Sequence, residues 1–222
     1  MKDDIVIIIP AYNPDETLYE LIQKLKQNEY KKIIVVNDGS SKIEYIQRIK
    51  PWVSLIEHKT NQGKGMAIKL AMEYCLENFS SVIGIITVDA DGQHLVEDIN
   101  KIYEVFRENP TSVILGSRDF TQKGIPLKSK IGNRLFSKFL RYKTKVMIRD
   151  TQTGLRAIPI TYIQQVKAIR GTRFEYETNM LLYYIRNHIN IKEVAIKNIY
   201  INKNKASNYK PIKDSIKILQ QL

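Results

Sequence analysis

Asp89, Asp91 and Gln93 occupy alternate positions in TVDADGQH (87–94), a segment that grows out of the apolar run VIGIITV (82–88). In extended backbone, alternate side chains share a face, so the two carboxylates should lie side by side. They then repel one another unless a cation sits between them. A hard divalent cation that prefers oxygen ligands, Mg²⁺ or Mn²⁺, meets that need, and Gln93 can add a neutral amide oxygen. Such a cation would neutralise a diphosphate and stabilise a departing nucleotide. A solvated acidic turn is the competing reading, and placement after a buried strand favours the site. His94 can be a fourth ligand, but a surface histidine at a helix start is the simpler expectation.

In open α/β sheets ligands gather at the carboxyl ends of the strands. Three other strand ends carry suggestive residues. In IPAYNPDETL (9–18), Pro10 ends an apolar run, Tyr12 can stack on a base, and a helix begins near Asp15. In VVNDGSS (35–41), Asp38 can accept from the N–H of a pyrimidine or guanine, or can simply cap a turn. In NQGKGMA (61–67), Gly63 and Gly65 allow close backbone approach, Lys64 supplies a cation, and a helix N-terminus follows. This spacing is neither GxxxxGK[ST] nor GxGxxG, which disfavours a P-loop NTPase and a dehydrogenase.

The elements that must hold these residues follow from the apolar pattern. IVIII (5–9), IIVV (33–36), VSLIE (53–57), VIGIITV (82–88) and SVILGS (112–117) read as strands. They are largely continuous and β-branched, as strands covered on both faces should be. Residues 15–27 place Leu18, Leu21, Ile22 and Leu25 on one helical face, and 65–78 and 95–107 behave alike. This alternation implies an α/β fold with a mainly parallel sheet and helices on both faces. Later residues suggest an amphipathic helix over 129–142, a helix over 175–188, strands near 191–201, and a short helix after Pro211.

The 222 residues suit one domain. The single Cys75 excludes an internal disulfide and reads as a small buried hydrophobe. A reducing, cytoplasmic setting is expected. No secretory signal or membrane-spanning stretch is expected, so membrane contact should be peripheral. Charge is uneven: residues 1–118 hold 14 Lys/Arg against 17 Asp/Glu, whereas residues 119–222 hold 21 against 6. A basic elaboration in the second half suggests an anionic partner.

Taken in order, IPAYN (9–13), VVNDGS (35–40), NQGKGMA (61–67), VDADGQH (88–94), GSRDF (116–120), GNRLFSKF (132–139), DTQTGLRA (150–157) and FEYETNML (174–181) resemble family-2 glycosyltransferases of the GT-A, Rossmann-like fold. Among these the polyprenyl-phosphate glycosyltransferases, the group containing dolichol-phosphate mannosyltransferase, look most similar. The resemblance implies that Pro10, Tyr12, Asp38 and Lys64 bind the nucleotide-sugar donor. It places Asp89, Ala90 and Asp91 around the diphosphate, with Asp91 and Gln93 as ligands of Mg²⁺ or Mn²⁺. Arg118, Arg134, Lys203 and Lys205 would meet the acceptor phosphate. Residues 1–118 would form the nucleotide-sugar half and residues 119–222 the acceptor- and membrane-facing half. Two departures stand out: Pro14 follows IPAYN where an acidic residue is usual, and the basic stretch near residue 200 reads NKNKASNYKPIKDS (202–215).

The resemblance implies inverting, in-line transfer of a hexose to polyprenyl phosphate. An acceptor phosphate oxygen is already anionic and needs no base. An alcohol acceptor on a polysaccharide or lipid glycan would need one, and Asp150, Glu175 and Glu177 are the candidates. Residues 120–149 contain nine Lys/Arg and no acid. There Lys130, Arg134, Lys138 and Arg141 form one stripe, and Ile131, Leu135, Phe136, Phe139 and Leu140 another. That pattern suits a helix lying on an anionic membrane surface, on the inner face of the membrane, with room for a separate membrane-protein partner. A basic nucleic-acid-binding module is the remote alternative, and it leaves DADGQ unexplained.

Overall fold

The computed structural model describes residues 2–119 and 127–197. Its centre is a seven-stranded sheet in the order β3-β2-β1-β4-β6-β5-β7. The strands are β1 (Lys2–Ala11), β2 (Tyr30–Asp38), β3 (Ser54–His58), β4 (Gly84–Thr87), β5 (Val113–Arg118), β6 (Arg156–Pro159) and β7 (Ile191–Ile196). All pairings are parallel except those of β6, which runs antiparallel to both β4 and β5. The mainly parallel α/β expectation therefore holds.

Strand parity divides the apolar residues between two cores. Val6, Ile8, Ile34 and Val36 face one side, covered by α3 (Lys64–Asn78), α6 (Ile163–Lys167), α7 (Glu175–Arg186) and the inner face of α5 (Leu127–Thr144). Ile5, Ile7, Ile9, Ile33 and Val35 face the other, covered by α1 (Glu16–Gln27), α2 (Glu44–Ile49) and α4 (Val96–Glu108). A period of two along each strand feeds both layers, which is why the runs read as continuously apolar. The four α1 residues expected on one face are all buried. Cys75 is buried on α3, and burial pushes its thiol up to about 11, as befits an inert packing residue.

The second half departs from expectation in two places. The sequence gives no expectation of β6, although it fills the gap between β4 and β5. Its four residues, RAIP, are too few for a pattern and begin with a charge. The apolar stripe on α5 is also split. Phe136 and Leu140 turn into the core, whereas Ile131 and Leu135 stay on the outer face with Arg134 and Lys138. The expected strand beyond residue 197 and the helix after Pro211 lie outside the described residues, as do Lys203 and Lys205.

Candidate active site

The carboxyl ends of β1, β2 and β4 meet at one edge of the sheet, and side chains lock their loops together. Asn13, at φ 47°, accepts the Ser41 and Lys42 amides on Oδ1, and its own amide donates to Ser40 Oγ at 2.8 Å. Asp15 caps α1 through the Thr17 amide. The Thr17 hydroxyl then donates to the Ala90 carbonyl at 3.2 Å, tying α1 to the DAD segment. Tyr12 stands 47% exposed beside this junction, free to present its ring to a planar group.

Asp38 is buried at the end of β2 and binds its own chain. Oδ1 lies 2.6 Å from His58 Nδ1 and accepts the Gln62 amide, while Oδ2 accepts the Gly63 amide at 2.8 Å. Asp38 thus caps neither its own turn nor the following α2, which has no side-chain cap; it ties down the loop that leads into α3, and His58 is a partner the sequence did not suggest. Gly63, at φ 102°, needs a glycine, because a Cβ would press on Thr172 and Arg173 at 2.5–2.6 Å.

The DAD segment forms a turn after β4, with Gly92 at φ 73°, rather than the extended run expected. Asp89 Oδ1 pairs with Lys64 Nζ at 2.6 Å, and Oδ2 lies 3.4 Å from His94 Nε2. The turn folds His94 beneath Asp89, where it is buried; the expectation of a surface histidine at a helix start was wrong, since α4 begins only at Val96. Burial alone would raise the Asp89 carboxyl, but Lys64 and then His94 outweigh it and hold it well below the ordinary range. Asp91 moves the other way, raised first by burial and then by the Asp89 charge. Its Oδ1 accepts the Gln93 amide at 3.1 Å. Of the two aspartates, one is matched by a cation and the other is short of positive charge.

That imbalance fits a divalent cation held by Asp91 and Gln93. Among the described residues no group of three or more His, Cys, Asp or Glu is disposed around one point to hold a metal, so phosphate oxygens would have to complete the shell.

The GSRDF and DTQTG motifs converge from β5 and the loop before β6. Arg118 grips the fully buried Asp150 with Nε at 2.6 Å and Nη2 at 3.0 Å, a two-pronged pair. Asn133 clasps the same loop through the Thr151 amide and hydroxyl, at 3.0 and 2.9 Å. Gly154 lies directly under Asp89, where a Cβ would collide with the carboxylate. Arg156, 1% exposed, donates to the carbonyls of Thr153 and Glu177. Neither Gly154 nor Arg156 was expected at the site. A charge inside the apolar LRAIP run was the available signal for Arg156. Arg134 is exposed on α5, adjacent to Asn133.

Residues 6–180 match the sequence profile described as "Glycosyl transferase family 2". The chain belongs to this family. One relative of this glycosyltransferase is the UDP-N-acetylglucosamine–dolichyl-phosphate N-acetylglucosaminyltransferase of Methanococcus voltae, 29% identical over 222 residues, covering 90% of this chain and 88% of that one. An uncharacterised protein of Methanocaldococcus jannaschii is 30% identical over 204 residues, covering 90% and 83%. Among solved structures, glucosyl-3-phosphoglycerate synthase from Mycobacterium tuberculosis, in complex with Mn²⁺ and UDP-glucose, superposes with a TM-score of 0.74 at 14% identity, over 98% of this chain and 78% of that one. The glycosyltransferase therefore has the GT-A fold that its motifs led one to expect.

Proposed function

We propose that this glycosyltransferase moves a hexose from a nucleotide sugar, of the UDP-glucose or GDP-mannose type, to polyprenyl phosphate at the cytoplasmic face of a membrane, with inversion and with Mg²⁺ or Mn²⁺. The observation that carries the choice of acceptor is the state of the three carboxylates able to act as bases. Asp150 is bound on both oxygens by Arg118. Glu175 accepts the Thr172 and Arg173 amides at the start of α7; burial would raise its carboxyl, but these amides hold it below the ordinary range. Glu177 binds Lys64 through Oε2, and its Oε1 is buried. A site whose candidate bases are each tied to a protein partner, Glu177 through one oxygen only, suits an acceptor oxygen that carries its own negative charge. The M. voltae relative, named for dolichyl phosphate as acceptor, supports the same reading.

In this mechanism Tyr12 and the Asp38 turn receive the nucleoside, and Asp91 with Gln93 would hold a cation, whose charge would offset that of the departing diphosphate. Arg118, fixed by Asp150, draws the acceptor phosphate into line. The acceptor oxygen attacks the anomeric carbon while the bond to the diphosphate breaks on the opposite side. A panel of nucleotide sugars offered with polyprenyl phosphate and with unphosphorylated polyprenol tests this. Product should form only with the phosphate; equal transfer to polyprenol would overturn the acceptor.

The outer face of α5 supports a membrane position. Arg134, Lys138 and Arg141 are exposed along it beside Ile131, Leu135 and Tyr142, and Lys145 is exposed just past its end. A depression of about 450 Å³ is lined by Lys138, Arg141, Tyr142 and Lys145. No helix among the described residues is long and apolar enough to cross a membrane. Binding to anionic vesicles should weaken with salt, and should weaken further in the Arg134→Glu/Lys138→Glu variant. Vesicle co-sedimentation that is salt-independent would count against this face as the anchor.

A further inference from the structure

Lys64 is placed where a donor phosphate or a metal would be expected to find Asp89, and it is held there firmly. Its Nζ lies 2.6 Å from Asp89 Oδ1 and 2.7 Å from Glu177 Oε2, and all three side chains are mostly withdrawn from solvent. The start of α3 cannot easily carry it elsewhere. The Gly63 amide is pinned by Asp38, the Met66 amide donates to the Thr172 carbonyl at 3.0 Å, and a Cβ at Gly65 would meet Tyr176 at 2.7 Å. Glu177 is fixed in turn, because Arg156 donates 2.5 Å to its carbonyl and also holds the Thr153 carbonyl just before Gly154. Contacts thus run from Arg156, through the Glu177 backbone, to the ion pairs that join Glu177, Lys64 and Asp89.

We infer that Lys64, clamped by Glu177, is an internal cation whose charge opposes a metal at the neighbouring Asp91, so that metal and nucleotide each bind weakly alone and tightly together. The inference rests on the metal reading proposed above. Asp89 has both oxygens turned to protein partners, Lys64 on one and His94 on the other, which leaves Asp91 as the unmatched carboxylate. A dication approaching Asp91 would also come within reach of the Lys64 ammonium, whose charge acts on Asp91, and in so enclosed a place that repulsion is poorly screened. The diphosphate of the donor brings the negative charge that removes the conflict, offering Lys64 and the cation a shared anion. Two buried atoms at the edge of the cluster, His94 Nδ1 and Glu177 Oε1, have no hydrogen-bond partner. Such orphans mark an arrangement that is not the one satisfying every group, as expected of a site that regroups on loading. Lys64 and Glu177 are positioning residues here, and Glu177 is not the base.

The test is Mn²⁺ titration, by calorimetry or by the free-Mn²⁺ electron paramagnetic signal, with and without UDP. UDP should tighten Mn²⁺ binding to the unaltered protein by roughly 5–150-fold, the usual range for coupled sites, and Mn²⁺ should tighten UDP equally. In Lys64→Met the nucleotide-free affinity for Mn²⁺ should rise several-fold and the UDP effect should fall to about threefold or less. Glu177→Gln retains the Lys64 charge and should keep the nucleotide-free affinity low. Should Lys64→Met fail to fold, as judged by circular dichroism, Lys64→Met/Glu177→Gln removes one charge of each sign and carries the same expectation. Unchanged or weaker nucleotide-free Mn²⁺ binding in the folded variant overturns the inference alone. Failure of the unaltered protein to bind Mn²⁺ even with UDP overturns the metal reading and the inference with it.

Discussion

Asp91→Ala is expected to lower sugar transfer by about 10³-fold or more while leaving the fold intact, the upper range for losing one group that offsets transition-state charge. The loss follows from its position: Asp91 is the carboxylate of the DAD turn that no lysine pairs with, where the proposed mechanism sets the diphosphate. Stability should hold or rise slightly. The Asp91 carboxyl is raised in the folded protein, so the folded state binds its proton more readily than the unfolded chain does. Above that raised value the ionised group disfavours folding, and alanine removes the penalty. The side chain surrenders only a local bond to the Gln93 amide. Initial rates with saturating Mn²⁺ and a thermal melt make the comparison, and full activity of the variant in EDTA would end the case for a metal at this position.

Gly154→Ala should be nearly as damaging, with a loss of about 10²-fold, the usual effect of misplacing a reacting group by an ångström. A Cβ there would fall 2.7 Å from both Cγ and Oδ1 of Asp89 and closer still to Oδ2. The loop cannot retreat, because the Gly154 carbonyl accepts the Thr87 hydroxyl at 2.8 Å inside the sheet. Asp89 must then swing away from Lys64 and His94. Overpacking of this kind also costs about 1–3 kcal/mol of stability. Steady-state kinetics beside urea unfolding separates the two effects, and wild-type kcat/KM in a folded variant would show that the seat of Asp89 does not matter.

The parts of the molecule legible in the sequence are those governed by short periods. Ile5 to Ile9 and Ile33 to Val36 announce doubly covered strands, and the α1 residues Leu18, Leu21, Ile22 and Leu25 announce a buried face. The DADGQ run suggests a chemistry because its members are neighbours in the chain. What stayed hidden depends on pairings across long separations. Nothing local says that Lys64 will meet Glu177, 113 residues later, or that Arg118 will close on Asp150, 32 residues on. Asp38 offered the right residue type, but whether its oxygens face a base or the Gln62 and Gly63 amides depends on where the next loop passes. His94 misled for a related reason: polar residues beside a turn are usually solvated, and only the fold places Asp89 above it.

The late arrival of β6 has a bearing on how the chain reaches this fold. On the first 118 residues, β4 can pair with β1, but its other edge is open, and β5 has no partner strand, since it pairs only with β6 and β7. Residues 156–159 must return to the middle of a sheet begun by residue 11 and insert between two strands already made. Closing so long a loop is entropically slow, and an apolar strand left waiting is open to pairing with another molecule. As the chain emerges from the ribosome, the motifs proposed to bind the donor are therefore complete well before the sheet beneath them is, and the interval exposes β4 and β5 to chaperone capture or aggregation.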